Sequence, residues 1–145
     1  MKTIAVFESD EFARPWHEDQ RVMERALPWG RDLALHLLEQ LKAETALVGG
    51  DEEPGEDECG WEFCVVKSSR RFGVFVHWAP LGHPRQDHWG IQVYTKRGVR
   101  DWLFKSIDYE AALAAFVGEV DRILQSAKRI QNLRWLTERE FAAVY

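Results

Sequence analysis

Residues 60–78, "GWEFCVVKSSRRFGVFVHW", decide the fold. Two runs within this stretch, GWEFCVV and RFGVFVHW, alternate between apolar and mixed positions. That is the period of a strand with one buried face. A turn centred on Ser69-Arg70 makes the two runs a hairpin. In that register Trp61 faces Trp78, Phe63 faces Val76 and Val65 faces Val74. Every such pair is apolar, so this is the core face. The other face pairs Glu62 with His77, Cys64 with Phe75 and Val66 with Gly73. Ser-Arg is a poor tight-turn pair, which favours a four-residue turn; turns of two and four residues keep the same parity.

The rest of the chain supplies partners for this hairpin. TIAVF (3–7) reads as a first strand. HEDQRVMERALPW (17–29) has helical spacing, with Pro28 ending it or opening the next helix. WGRDLALHLLEQLKAE (29–44) gathers Trp29, Leu33, Ala34, Leu37, Leu38 and Leu41 on one helical face. TALVGG (45–50) is a short strand or the exit of that helix. APLGHPRQD (79–87) is a loop, HWGIQVYTK (88–96) a third strand of the sheet, and VRDWLFKS (99–106) a candidate fourth. Asp108 can cap a helix whose stripe is Tyr109, Leu113, Phe116, Val117, Val120, Ile123, Leu124 and Ala127. RIQNLRW (129–135) reads as an edge strand, and Thr137 with Glu140 as a capping box for a short last helix. These elements predict an α+β two-layer sandwich: an antiparallel sheet of four to five strands with helices packed on one face. The opposite face would then lack a helical cover.

At 145 residues, 46% hydrophobic and 30% charged, the chain has the length of one domain and enough apolar surface for a core. A net charge of −5 argues against nucleic acid and against anionic lipid as partners. The opening MKTIAVFESD is too short an apolar run for a secretory segment, and no run is long enough to cross a bilayer. Cys59 and Cys64, five apart on one strand, would point to opposite faces out of disulfide reach. The expectation is a cytoplasmic protein with reduced thiols.

Immediately before the hairpin, DEEPGEDE (51–58) holds six acids in eight residues. As a connector, such a run stays solvated and mobile through self-repulsion. As a surface, Asp51, Glu52, Glu53, Glu56, Asp57 and Glu58 would meet a basic partner and speed encounter. The uncovered sheet face, with Glu62, Phe75, His77 and Tyr94, mixes apolar and polar groups as contact surfaces do. Trp16 fits no helix face and is a candidate interface anchor. His77, His83 and His88 could ligate zinc, with Glu62 beside His77, but H-x5-H-x4-H matches no strong zinc signature. Cys64 is a candidate nucleophile whose neighbour Glu62 would disfavour the thiolate. No nucleophile elbow, phosphate loop, dinucleotide fingerprint or metalloprotease motif is present, so no catalytic residue and no cofactor are assigned.

GWEFCVV…FGVFVHW…WGIQVYT, followed by an amphipathic helix and NLRW, resembles small uncharacterised bacterial proteins over residues 60–136. Some of these sit beside toxins in secretion-system loci and look like immunity proteins. The resemblance implies a cytosolic protein that neutralises a toxin by stoichiometric binding, with a basic toxin domain as partner. Two alternatives stand beside it. One is a small metal-dependent enzyme using Glu62, Cys64, His77, His83 and His88. The other is a homodimeric ligand-binding or assembly domain.

Overall fold

Between Lys67 and Arg70 the chain reverses in two residues. Ser68 and Ser69 both take positive φ, 50° and 64°. That is the backbone of the tight hairpin turn whose twist matches the strands it joins. The computed structural model containing this hairpin describes residues 1–9, 30–44, 47–58, 60–78, 88–96 and 109–144. Its elements are β1 (Ile4–Ser9), α1 (Arg31–Glu44), β2 (Gly49–Gly50), β3 (Gly55–Asp57), β4 (Gly60–Lys67), β5 (Arg70–Trp78), β6 (His88–Lys96), α2 (Tyr109–Ser126), β7 (Ile130–Leu136) and α3 (Glu138–Val144). The expected helix over 17–29, Trp16, Cys59, the loop 79–87 with His83 and the strand over 99–106 lie outside the described residues.

The class is α+β: one seven-stranded antiparallel sheet with helices packed on it. The strand order is β2-β4-β5-β6-β1-β7, with β3 also on β4. The sheet has more strands than expected: TALVGG ends in the short strand β2, one of its two expected readings, and the acidic segment adds β3.

The tight turn shifts the hairpin register by two residues from expectation. Trp61 pairs with Val76, Phe63 with Val74 and Val65 with Phe72. On the other face Glu62 pairs with Phe75, Cys64 with Gly73, and His77 with Gly60. Glu62 is therefore not beside His77, nor Cys64 beside Phe75. A shift of two leaves the parity unchanged, so Trp61, Phe63, Val65, Val74 and Val76 are all buried.

The two long helices cover that buried face. Leu33, Ala34, Leu37, Leu38 and Leu41 of α1 have no exposed surface. From α2, Phe116, Val120, Ile123 and Leu124 join them in one core, and Phe116 stacks on Phe72 at 4.5 Å. Truncating one of these leucines to alanine would cost about 2–5 kcal/mol through lost transfer energy and the cavity left behind. Polar contacts set the helices' positions. Lys67 at the end of β4 pairs with Glu119 of α2, half-buried, and the Trp135 indole N–H on β7 donates to Asp121 of α2 at 2.7 Å.

β1 lies between β6 and β7, inside the sheet rather than at its edge. Ile4, Ala5, Val6 and Phe7 are accordingly buried in succession, without alternation. At β7 the register shifts opposite Val6 and Glu8, where Asn132 takes a φ of 54°. Asparagine tolerates that left-handed conformation better than most residues. α3 begins with the expected capping box. The Thr137 backbone N–H donates to the Glu140 carboxylate at 2.7 Å, and the Glu140 N–H donates to the Thr137 hydroxyl at 3.1 Å. From α3, Phe141 sets its ring edge-on to His77 at 5.8 Å, so this helix partly covers the second face.

Two measurable consequences arise here. Serine is strained at both turn positions, so Ser68→Asn with Ser69→Gly should raise stability by about 1 kcal/mol, read as a higher urea midpoint at unchanged m. The Thr137 N–H holds Glu140 below the usual carboxylate range. A lowered folded value means the stabilisation is complete above the ordinary glutamate range and is lost as pH falls through the lowered value. The protection of the α3 amides, taken relative to their intrinsic exchange rates at each pH, should therefore fall on acidification before that of the core amides, and Glu140→Gln should flatten that dependence.

Candidate functional site

The acidic segment is an ordered ribbon along the outer edge of β4. β2 pairs Gly49 with Val66 and Gly50 with Val65, and β3 pairs Gly55 with Glu62, Glu56 with Trp61 and Asp57 with Gly60. Between them the Asp51 N–H donates to the Cys64 carbonyl at 2.8 Å. The Cys64 N–H returns a bond to the Asp51 carboxylate, also 2.8 Å. A side-chain oxygen thus substitutes for a backbone rung and lets the chain leave the ladder without stranding an amide. Gly50 is required at the approach: its φ is +134°, and a Cβ there would lie 2.6 Å from the Cys64 carbonyl oxygen. Pro54 is buried at the bend between the two strands. The connector is held, not mobile as a self-repelling loop would be.

Its carboxylates remain outside. Asp51, Glu52, Glu53, Glu56, Asp57 and Glu58 are all exposed. Among the described residues none of them forms an ion pair. The nearest cation contact, from Lys42, goes to the backbone carbonyl of Glu52 rather than to a carboxylate. Strand alternation places Glu56 on the helix side of the edge, opposite Trp61, and Asp57 on the opposite side with Gly60.

The second sheet face continues from this edge. Glu62, Cys64, Phe75, His77, Gln92 and Tyr94 are all half-buried on it. Its relief is low because two rings lie flat over glycines. A Cβ at Gly73 would strike the Tyr94 ring at 2.2 Å, and one at Gly90 the His77 ring at 2.3 Å. Phe75 stacks on His77 at 5.4 Å. Lys96 reaches Glu62 at 3.4 Å. A hydrogen bond to Cys64 lifts Lys96 above the usual lysine range; partial burial opposes this and Glu62 adds to it. Glu62, the carboxylate that neighbours Cys64 along the strand, is therefore half of an ion pair.

His77 and His88, the members of the expected histidine group among the described residues, do not converge. His77 lies over Gly90 against Phe75 and Phe141, while His88 turns its Nε2 to Glu8 at 3.0 Å. Among the described residues no three His, Cys, Asp or Glu side chains come together as a metal would need. Trp61 is buried, with the Arg31 guanidinium 5.8 Å from its ring centre.

Reading the residues missed one group. Glu8, His88, Asn132 and Arg134, with Val6 and Phe7, line a pocket of about 340 Å³ on the β1–β7 side of the second face. The available signal was in TIAVFES, where Glu8 interrupts an interior strand on the face that Ile4 and Val6 share. No helix among the described residues is long and apolar enough to cross a membrane. Compared with known proteins, the chain matches no family model, no curated protein and no solved structure.

The Asp51 carboxylate is thus a structural part of the ribbon. Asp51→Ala removes the partner of the Cys64 amide at an exposed edge and should cost about 0.5–1.5 kcal/mol. Asp51→Asn keeps an acceptor oxygen and should lose less. Urea unfolding of the two variants separates these outcomes.

Proposed function

We propose that this chain is an immunity-type binding protein, which neutralises a basic toxin domain by occupying its cationic surface stoichiometrically. The reading is carried by the exposed, unpaired carboxylates fixed in an edge ribbon. A toxin that acts on a polyanion presents cations where its substrate goes. An ordered row of acids meets such a cleft with little conformational entropy left to lose. The low-relief face is unnecessary to that steering but supplies apolar area beside it: Phe75, His77 and Tyr94 stand half-buried on the same face that runs back from the ribbon. Aromatic side chains of this kind anchor interfaces whose rim is charged. Cytoplasmic residence, where such a toxin would have to be met, belongs to the same proposal.

The test pairs the chain with basic toxin domains, beginning with any that is encoded beside its own gene. Coexpression should restore growth, and the purified pair should form a one-to-one complex. Glu52, Glu53, Glu56, Asp57 and Glu58 are then replaced together by Gln or Asn, with Asp51 kept for its structural bond. Association at low salt should slow by about 10–1,000-fold, the range of electrostatic steering. That difference should shrink at high salt. An unchanged association rate at both salt concentrations would remove the ribbon from the interface.

A further inference from the structure

The pocket lined by Glu8, His88, Asn132 and Arg134 lies on the far side of β4, β5 and β6 from the acidic ribbon. Its centre is a carboxylate held from both sides. His88 Nε2 lies 3.0 Å from one Glu8 oxygen, and the Asn132 amide donates to the other at 3.1 Å. Asn132 reaches it from the irregular turn of β7 where φ is positive. The His88 side chain is 8% exposed. Its Nδ1 is buried and has no hydrogen-bond partner. A buried imidazole with half its bonding capacity unused is an unfavourable way to fill space. Its hydrogen bond to Glu8 is what the position gains from being histidine.

Arg134 supplies the opposite charge. It stands on β7 directly across from Val6, and Glu8 is two residues beyond Val6 on the same face of β1. Two strand residues span about 7 Å. Glu8 and Arg134 are thus near neighbours of opposite sign, yet no ion pair joins them, and Arg134 has none with any described residue. The pocket they line has Val6 and Phe7 among its other walls. Its volume falls at the small end of the usual range for small-molecule sites, about 300–1,000 Å³.

We propose that this pocket binds a small zwitterion of the α-amino acid type, its carboxylate on the Arg134 guanidinium and its ammonium on Glu8. A simple anion would meet the Glu8 carboxylate, and a simple cation would meet Arg134. A ligand carrying both charges satisfies both groups. Glu8 still has a lone pair on each oxygen after accepting from His88 and Asn132, and those two donors hold it in place for the ligand. The site is independent of the acidic ribbon, so its test does not depend on a protein partner.

Isothermal titration calorimetry of the full chain tests it with glycine, alanine, leucine and phenylalanine as probes, whose side chains carry no charge. Each is run beside its deaminated acid and its decarboxylated amine. At least one amino acid should bind, and both single-charge analogues should bind about tenfold more weakly or worse, the loss of one charge-assisted contact. Arg134→Ala should weaken binding by a similar factor with an unchanged melting temperature, since Arg134 is exposed. Arg134→Lys should recover only part of it, because the two-pronged geometry is lost. The proposal is overturned if no probe binds at about 10 mM, a concentration well above the weakest affinity of interest. It is equally overturned if the deaminated acid binds as well as its parent, or if Arg134→Ala binds like the wild type.

Discussion

Trp61, Val76, Ile91, Ala5 and Trp135 stand side by side across β4, β5, β6, β1 and β7, and the two long helices rest on the row they form. The row has a tryptophan at each end and the small Ala5 near its middle, so the surface offered to the helices is concave in side-chain size. Each end is tied to a different helix. Arg31 at the start of α1 lies 5.8 Å from the Trp61 ring centre, and Asp121 of α2 accepts from the Trp135 indole. Neighbouring rows, such as Phe63–Val74–Val93, complete the floor on which Leu37, Leu41, Phe116 and Val120 pack. A shift of one residue in any strand would exchange this row for its neighbours on the other face.

That second face follows from the first. Directly behind the tryptophan row runs Gly60, His77, Gly90, Val6 and Arg134. A large ring between two glycines can only lie down, and His77 does so over Gly90. Tyr94 does the same over Gly73, which separates it from Cys64 in the pairing. The glycines weaken the strands locally, and the rings restore apolar cover to the backbone they expose. The outcome is a face of low relief, with the Glu8–His88 pair and Arg134 at one end and the acidic edge at the other. The proposed protein partner and the proposed small ligand would use opposite ends of one surface.

The parity of β4 and β5 was readable because the apolar residues alternate over seven positions in each, and parity survives an error of two. The register was not readable, because Ser68-Ser69 lacks the Asn-Gly chemistry that announces a tight turn and its strain is invisible in a list of residue types. α1 and α2 were readable from their stripes, and the α3 cap from Thr137 and Glu140 alone. The ribbon was misread as a loop because its order comes from β4: Asp51 bonds a residue thirteen positions away, and no local pattern encodes that contact. Glu8 and His88 are eighty residues apart in the chain and meet only because β1 inserts between β6 and β7. Sequence spacing that looked for neighbours among the histidines therefore passed over the pair that forms.

Both outer edges of the sheet need protection from pairing with another chain, and the two are protected differently. β7 carries an irregularity at Asn132 together with Gln131 and Arg134. The β4 edge is broken into two short strands, bent at Pro54 and covered in carboxylates. Edge protection alone would explain the breaks, the proline and the presence of charge. It is indifferent to sign, and lysine serves it at least as well as glutamate. From Asp51 to Glu58 there are six acids and no base. Lys42, the basic residue that reaches the ribbon, bonds a carbonyl and leaves the carboxylates unneutralised. Edge protection therefore accounts for the form of the ribbon, while its single sign is the property that the proposed cationic partner would use.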